Sequence, residues 1–309
     1  MEATISLPNF AIFVNREKHT MKWNFQNMAY GSDTGQTLDL ILPKQKVAQA
    51  IVYIHGGAYL VGDKTEYPSF LADYTEDTVF AAINYRLVQD NNNVRMNDIL
   101  SDVDAALSKK TELSGMSGVS IKGFILVGHS AGGQIGLLYG YKYHTKTKIT
   151  ACVSMAGPTD FTDDVGWSKM AMWGDDLETR LSFLSQVGSR LTGHAIKLTQ
   201  SDWTKQKNYS EFRKHVLEIS SITYVSETET VPPTLLVHAR DDNQVPYSNA
   251  VRLRTALHNA SIPHRLLTPT GSGNSHMLGG EVYTDYSPFI FRDQAWVEEA
   301  KKWIEQFIY

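Results

Sequence analysis

The sequence is poor in cysteine, in long apolar runs and in net charge, and each shortage narrows what the protein can be. Its only cysteine, Cys152, excludes an internal disulfide and gives no sign of an oxidising compartment. No stretch reaches the roughly 18 consecutive apolar residues that a membrane-spanning helix needs, and no basic segment followed by an apolar run opens the chain. A formal charge of −4 predicts neither a nucleic-acid partner nor an anionic membrane. We therefore expect a cytoplasmic protein without stable membrane insertion.

What the chain does contain is a regular alternation of apolar, strand-like segments and helical segments. With 309 residues, 42% of them hydrophobic and 20% charged, it can bury the core of a single α/β domain spanning residues 1–309. Residues 23–30 and 38–43, separated by a turn at 31–35, predict an antiparallel hairpin. Continuously apolar strands follow at 50–57, 79–86, 123–129, 150–157, 234–239 and 264–269. Such strands are typical of a mostly parallel, doubly wound sheet with helices on both faces.

Two segments between or after these strands have a clear helical period. Within residues 95–110 one face is apolar, formed by Met96, Ile99, Leu100, Val103 and Leu107. The C-terminal segment repeats the pattern with Trp296, Ala300, Trp303, Ile304 and Phe307. Right-handed crossovers through such helices connect the parallel strands of a doubly wound sheet.

Residues 161–229 interrupt the alternation because they contain no convincing strand. A gap of this length inside an α/β pattern predicts a helical insertion that forms a lid or cap over the strand ends. Its large apolar residues allow two interpretations, a roof over a substrate pocket or simple packing of the insertion onto the core. They are Trp167, Met170, Met172, Trp173 and Phe183.

The segment Gly128-His129-Ser130-Ala131-Gly132 fits the pattern G-x-S-x-G between a strand and a helix. Small flanking residues allow the sharp turn that exposes a nucleophilic serine above a sheet. A tight turn with an inert serine is the alternative, whereas a nucleotide site is disfavoured because both G-x-G-x-x-G spacing and a Walker lysine are missing. Adjacent side chains point in different directions, so His129 is predicted to be a packed or locally hydrogen-bonded histidine rather than the base for Ser130.

A serine nucleophile requires an acid and a histidine elsewhere, and in enzymes with this turn they follow it in the order acid, then histidine. Asp241 and Asp242 come directly after the strand at 234–239, and the D-x-x-V-P pattern favours Asp242. His276 lies in a Gly/Ser-rich loop after the last strand, where an open parallel sheet collects catalytic groups. His238, within an apolar segment, is predicted to be a hydrogen-bonded core residue.

The strand at 50–57 ends in His55-Gly56-Gly57-Ala58, which suits the stabilisation of an oxyanion. Glycines let backbone N–H groups approach a ligand closely. The N–H groups of Gly57 and Ala58, together with that of Ala131, are predicted to form a three-donor oxyanion hole. Tyr59 follows this loop directly and is predicted to border the substrate site.

These motifs together resemble the α/β-hydrolase fold, specifically the esterase/lipase group related to hormone-sensitive lipase and the BD-FAE-type carboxylesterases. The resemblance rests on HGGAY, GHSAGG, PPTLLVHARDDNQVP and the late histidine, in that order, and runs from about residue 30 to the C-terminus. Two departures are HGGA in place of HGGG, and Met277-Leu278 where relatives carry Gly-Phe. The roles that the resemblance implies are a nucleophile at Ser130, an acid at Asp242, a base at His276 and oxyanion amides at Gly57, Ala58 and Ala131.

The resemblance implies a serine carboxylesterase that hydrolyses small or medium esters through an acyl-enzyme, with a small-molecule ester as its partner and no metal or organic cofactor. An arylformamidase similar to kynurenine formamidase would use the same triad, and an acyltransferase would differ only in the acceptor. An oligopeptidase is disfavoured because the chain has no room for a β-propeller. A non-catalytic binding protein is disfavoured because the three triad candidates are all present. Oligomeric state is left open.

Overall fold

A computed structural model describes residues 22–89, 92–201, 209–227, 231–269, 275–280, 288–291 and 295–308. The stretch 1–21, on which the prediction of a missing leader depends, lies outside these ranges. The strands are β1 (Phe25–Ala29), β2 (Thr37–Ile41), β3 (Val47–Ile54), β4 (Val79–Ile83), β5 (Ser120–His129), β6 (Ile149–Met155), β7 (Thr234–Val237) and β8 (His264–Leu267). The helices are α1 (Met96–Ser108), α2 (Lys110–Ser117), α3 (Ala131–Tyr143), α4 (Asp164–Trp167), α5 (Leu177–Thr192), α6 (Tyr209–Leu217), α7 (Ile222–Glu227), α8 (Tyr247–Asn259) and α9 (Ala295–Glu305), with 3-10 turns at Ser69–Tyr74 and Ala171–Trp173.

The strands form one eight-stranded sheet in the order β1-β2-β4-β3-β5-β6-β7-β8. β1 and β2 pair as the predicted hairpin, β2 is also antiparallel to β4, and the remaining neighbours are parallel. The structure therefore confirms the predicted mostly parallel, doubly wound sheet. In the register, His129 pairs with Met155, and Met155 with Val237, so the ends of β5, β6 and β7 meet at one edge. Loops leaving that edge build the site.

The central strands are apolar on both faces because each face is covered by helices. Along β5, Phe124 and Leu126 belong to one buried cluster, whereas Ile125 and Val127 belong to the cluster on the opposite face. The first cluster includes side chains of α1, α3 and α8, and the second includes those of α9 and the 3-10 turn at Ser69–Tyr74. This three-layer arrangement explains the continuously apolar strand sequences.

The two predicted amphipathic helices are confirmed. All five apolar residues singled out in α1 are buried, and the Asp98 carboxylate accepts a hydrogen bond from the Arg95 N–H (2.9 Å) at the start of the helix. In α9, four of the five are buried, and Phe307 packs against the core just beyond the end of the helix. Among the described residues, no helix is both long enough and apolar enough to cross a bilayer.

Between β6 and β7 the described residues of 161–229 form helices and turns but no strand; residues 202–208 and 228–229 lie outside them. This segment packs onto the domain rather than standing away from it. Trp167 is buried and stacks on Phe161, and Trp173 stacks on Phe183 with ring centroids 4.0 Å apart. The Trp173 indole N–H also donates to the Gln244 carbonyl oxygen (2.7 Å). The packing interpretation accounts for these contacts, while a lid function stays a prediction.

Candidate active site

Ser130 sits at the turn between β5 and α3 in a strained backbone conformation. Its φ is 51° and its ψ is −122°, a region that a non-glycine residue adopts only when the surroundings impose it. Its N–H donates to the Met155 carbonyl oxygen (2.7 Å), which fixes the turn on the neighbouring strand. The flanking glycines are required by space, since a Cβ at Gly128 would lie 2.2 Å from the Gly132 oxygen, and one at Gly132 would lie 2.0 Å from the Ile54 oxygen.

The structure brings Ser130, His276 and Asp242 together from three separate loops. The Oγ of Ser130 lies 3.0 Å from Nε2 of His276. The other ring nitrogen of His276, Nδ1, lies 2.9 Å from Oδ2 and 3.1 Å from Oδ1 of Asp242. Because Nδ1 faces only acceptor oxygens, it carries the ring proton, and Nε2 of the neutral imidazole is free to accept the Ser130 hydroxyl proton.

Asp242, rather than Asp241, contacts the histidine. The Asp241 side chain is exposed, whereas Asp242 is buried and its Oδ1 accepts the N–H groups of Gln244 (2.8 Å) and Val245 (3.0 Å). Burial alone would raise the pKa of Asp242, but the adjacent imidazoles of His276 and His238 hold that pKa well below its ordinary value. The carboxylate therefore stays ionised beside His276.

His238 is a site residue whose role the sequence did not indicate. Its Nε2 lies 3.0 Å from the Val245 carbonyl oxygen and 3.2 Å from Oδ2 of Asp242. Both neighbours are acceptors, so Nε2 carries a proton and donates to them. The prediction of a hydrogen-bonded core residue described its burial but missed the contact with Asp242. The sequence contained one signal for this contact, the i,i+4 spacing from His238 to Asp242. That spacing brings the two side chains together only because the loop after β7 folds back.

His129 is buried and directs its imidazole at the backbone of His276, the predicted base. Its Nε2 lies 3.0 Å from the carbonyl oxygen of His276, and the two ring centroids are 5.2 Å apart. Burial, followed by the proximity of His276, lowers the pKa of His129 to about 3, so the ring is neutral and donates its N–H. The predicted hydrogen-bonded histidine is thus present, but its partner is 147 residues away rather than local.

The loop after β3 turns back beside Ser130 through three successive residues with positive φ. These are Gly57 (98°), Ala58 (50°) and Tyr59 (68°). Gly56 allows the close approach, since a Cβ there would lie 3.1 Å from the Ser130 Cβ. None of the described residues accepts a hydrogen bond from the N–H of Gly57 or Ala58. Ala131 is the first residue of α3, where N–H groups have no partner within the helix. The N–H groups of Gly57 and Ala58 thus have no acceptor among the described residues, that of Ala131 has none within α3, and their service as an oxyanion hole stays a prediction.

Buried aromatic residues hold this loop from below. Tyr85 stacks on the His55 ring at 4.4 Å and its hydroxyl donates to the carbonyl oxygens of His55 (3.1 Å) and Gly56 (3.3 Å). Burial lowers the pKa of His55 to about 4. Tyr59 is only 4% exposed, and its hydroxyl has no hydrogen-bond partner among the described residues. The side chain predicted to border the substrate site thus points into the core, and its role in binding stays a prediction.

Several solved structures with the same architecture are described as esterases or hydrolases. A truncated carbohydrate esterase from gut microbiota is 18% identical, with 91% of this chain and 95% of that chain covered and a TM-score of 0.63. Esterase B from Lactobacillus rhamnosis HN001 is 16% identical, with coverages of 93% and 84% and a TM-score of 0.64. A sugar hydrolase from Lactococcus lactis is 19% identical, with coverages of 87% and 93% and a TM-score of 0.59. At these identities the likeness shows the α/β-hydrolase fold.

Sequence comparison locates the family more closely than these structural likenesses do. No curated protein matches the chain in sequence. The model of the BD-FAE family matches residues 38–257, more than two thirds of the chain, and this range includes Ser130 and Asp242. The chain therefore belongs to the BD-FAE family and has the α/β-hydrolase fold.

Proposed function

We propose that the protein is a serine carboxylesterase that hydrolyses small or medium carboxylic esters through an acyl-enzyme on Ser130. The observation that carries this proposal is the continuous hydrogen-bonded chain from Ser130 through His276 to Asp242. Membership of the BD-FAE family, together with structural neighbours that are esterases, supports hydrolysis of esters as the reaction. In this proposal residues 161–229 form a cap on a single domain.

In the first half of the reaction, Ser130 becomes acylated. His276 Nε2 removes the hydroxyl proton while the Ser130 oxygen attacks the ester carbonyl carbon. The carbonyl oxygen becomes an oxyanion and receives hydrogen bonds from the N–H groups of Gly57, Ala58 and Ala131. Collapse of this intermediate breaks the bond to the alcohol oxygen, which leaves with the proton from the His276 imidazolium.

In the second half, water releases the acid. His276 Nε2 takes a proton from water, the resulting hydroxide equivalent attacks the acyl carbon, and the Ser130 oxygen leaves with that proton. Asp242 stabilises the imidazolium in both halves, because its low pKa keeps it ionised beside Nδ1. Each oxyanion donor contributes about 3–4 kcal/mol of transition-state stabilisation in enzymes of this kind. The cycle proceeds without a metal or an organic cofactor.

A fluorophosphonate probe and p-nitrophenyl esters of increasing chain length test the proposal. The probe should label the wild-type protein, and Ser130→Ala should abolish labelling and reduce ester turnover by at least about 10³-fold. Ser101→Ala is the matched control, because Ser101 is an exposed residue of α1 whose hydroxyl bonds only within that helix. Labelling that survives in Ser130→Ala would contradict the nucleophile assignment.

The same assay separates ester hydrolysis from formamide hydrolysis. N-formylkynurenine, offered beside the esters, should be turned over far more slowly than the best ester. A kcat/KM for the formamide well above that for every ester would replace the carboxylesterase proposal with an arylformamidase that uses the same triad.

A further inference from the structure

Two buried histidines contact the proposed triad without taking part in its chemistry, and His129 has the more specific contact. We propose that His129 is a positioning residue that fixes the backbone of the base, His276, relative to the nucleophile. This inference rests on the proposed function, since it assigns a task within the same site. It concerns an anchor for the triad rather than another reacting group.

The contact is directional. His129 Nε2 lies 3.0 Å from the carbonyl oxygen of His276, and a carbonyl oxygen can only accept, so the imidazole donates. Both residues are about 95% buried, which removes water as a competing partner for that carbonyl group. Deep burial also keeps the pKa of His129 low, and the ring is therefore a neutral donor across the range in which an esterase works.

The base needs such an anchor because its surroundings lack regular structure. The described residues 275–280 form turns, in which Leu278 and Gly280 N–H bond only within the segment. Hydrogen bonds that join this segment to the rest of the protein include one from the Ser275 hydroxyl to the Asp241 carbonyl oxygen (2.8 Å) and one from the Trp296 indole N–H to the Leu278 carbonyl oxygen (3.3 Å). Among the hydrogen bonds of the described residues, the one from His129 reaches the backbone of His276 itself.

The anchor starts from the residue that precedes the nucleophile. Residues 128–132, the turn between β5 and α3, form the elbow that orients the serine hydroxyl. Because His129 and Ser130 are consecutive, this elbow also orients the donor that holds His276. Two neighbours pack against the His129 ring. Phe289 packs edge-on against it at 5.3 Å, and Gly56 approaches so closely that a Cβ there would lie 3.2 Å from His129 Nδ1. A rigid elbow thereby sets the distance from nucleophile to base.

A pair of amide substitutions separates this role from simple core filling. His129→Gln places an amide N–H near the position of Nε2, whereas His129→Asn is one methylene shorter and ends near Nδ1. With ester substrates, we expect kcat of His129→Gln within about threefold of wild type. For His129→Asn we expect kcat to fall by roughly 10- to 100-fold with KM changed less than twofold, since a displacement of about 1 Å at a catalytic group has an effect of this size.

Stability is measured in parallel, because both variants remove an aromatic ring from the core. Phe289→Leu is the matched control, since it loosens the packing on the same ring but leaves the donor in place. It should lower Tm while kcat stays within about threefold of wild type. If His129→Asn does not fold, the comparison passes to His129→Gln against His129→Met, which is of similar length but has no donor.

The outcomes separate this inference from the proposed function. Equal kcat for His129→Gln and His129→Asn, or for His129→Gln and His129→Met where that pair is used, would overturn the positioning role. So would a loss that is confined to KM. In both cases Ser130→Ala would still abolish turnover. Ester turnover that survives in Ser130→Ala would overturn both. If His129→Gln retains kcat and His129→Asn does not, at similar Tm, the result would support the positioning role of His129.

Discussion

The two halves of the proposed active site are held in place by opposite means. At the nucleophile elbow, Gly128 and Gly132 bring backbone segments to distances that exclude even a methyl group. At the acid and base, loops after β7 and β8 are held by polar contacts that converge on Asp242 and His276. The elbow is thus positioned by close backbone packing that the glycines permit, whereas the acid–base loops are positioned by hydrogen bonds.

This difference has a consequence for how each half tolerates change. A close backbone contact cannot be restored by another side chain, because a Cβ at Gly132 meets the Ile54 carbonyl group at the end of β3, and a Cβ at Gly128 meets the Gly132 carbonyl group in α3. A hydrogen bond can be restored by any side chain that brings a donor to the same point. Substitutions of Gly128 or Gly132 should therefore disrupt the structure whatever the new side chain, whereas the effect of substitutions in the acid–base loops should depend on whether the new side chain restores the hydrogen bond.

Among the substitutions considered for the elbow, Gly132→Ala should lower the stability of the folded protein most. Its Cβ would lie 2.0 Å from the Ile54 oxygen and 2.5 Å from the His55 oxygen, both at the end of β3. Relief requires a shift of the sheet or of α3, so we expect loss of folded protein or a fall in Tm of at least about 10 °C. Thermal melts of purified protein measure it.

Gly136→Ala provides the matched control in the same helix. Its Cβ would meet only Leu126 Cβ at 3.6 Å and Ile54 Cδ1 at 3.7 Å, which is ordinary contact. Alanine also favours a helix over glycine by about 1 kcal/mol, so Tm should stay the same or rise. If both alanines are tolerated equally, the elbow is not held by close packing.

At the acid, Asp242→Asn should lower kcat by about 10³- to 10⁴-fold, because an amide no longer stabilises the imidazolium or its required tautomer. The buried side chain keeps its shape, so folded protein should be recovered. Asp241→Asn is the control, since Asp241 is exposed and contributes only its backbone carbonyl to the loop. Steady-state kinetics with a p-nitrophenyl ester distinguish them; a larger loss in Asp241→Asn would move the acid role to that residue.

The elbow could be predicted from the sequence, whereas the contacts that hold the acid–base loops could not. The elbow is a strand, a turn and a helix in consecutive residues, so the segment 128–132 predicted Ser130 and its turn. The contacts of His129 and His238 depend on how the ends of β5, β7 and the loop of His276 meet, and the order of strands in a sheet is not written in any local pattern. The burial of the Tyr59 side chain was not evident from the sequence for the same reason, since neighbouring positions along a loop can face either solvent or core, and its role in binding stays a prediction.

Replacement of His238 tests the hydrogen bonds that hold the acid–base loops, and its effect on kcat should be smaller than that of Asp242→Asn. His238→Leu removes the donor to Asp242 Oδ2, but the N–H groups of Gln244 and Val245 still hold the carboxylate. We expect kcat to fall by about tenfold, as for loss of one hydrogen bond to a charged group. His238→Gln, whose amide reaches the same region, should recover most of the activity. An equal loss of kcat in His238→Leu and His238→Gln would show that the hydrogen bond to Asp242 does not determine the geometry of the acid–base loops.

The smallest effect on activity should come from Tyr59→Phe, in the loop after β3 that carries two of the predicted oxyanion donors. The buried Tyr59 hydroxyl has no partner among the described residues, and leaving such a group unpaired destabilises a protein by about 1–3 kcal/mol. Removing it should leave Tm unchanged or higher, with kcat and KM both within about twofold of wild type. Tyr85→Phe is its counterpart, because the Tyr85 hydroxyl donates to the carbonyl oxygens of His55 and Gly56, and its loss should lower Tm. A rise in KM for Tyr59→Phe at constant Tm would instead mean that the hydroxyl binds substrate, and that the loop opens to expose it.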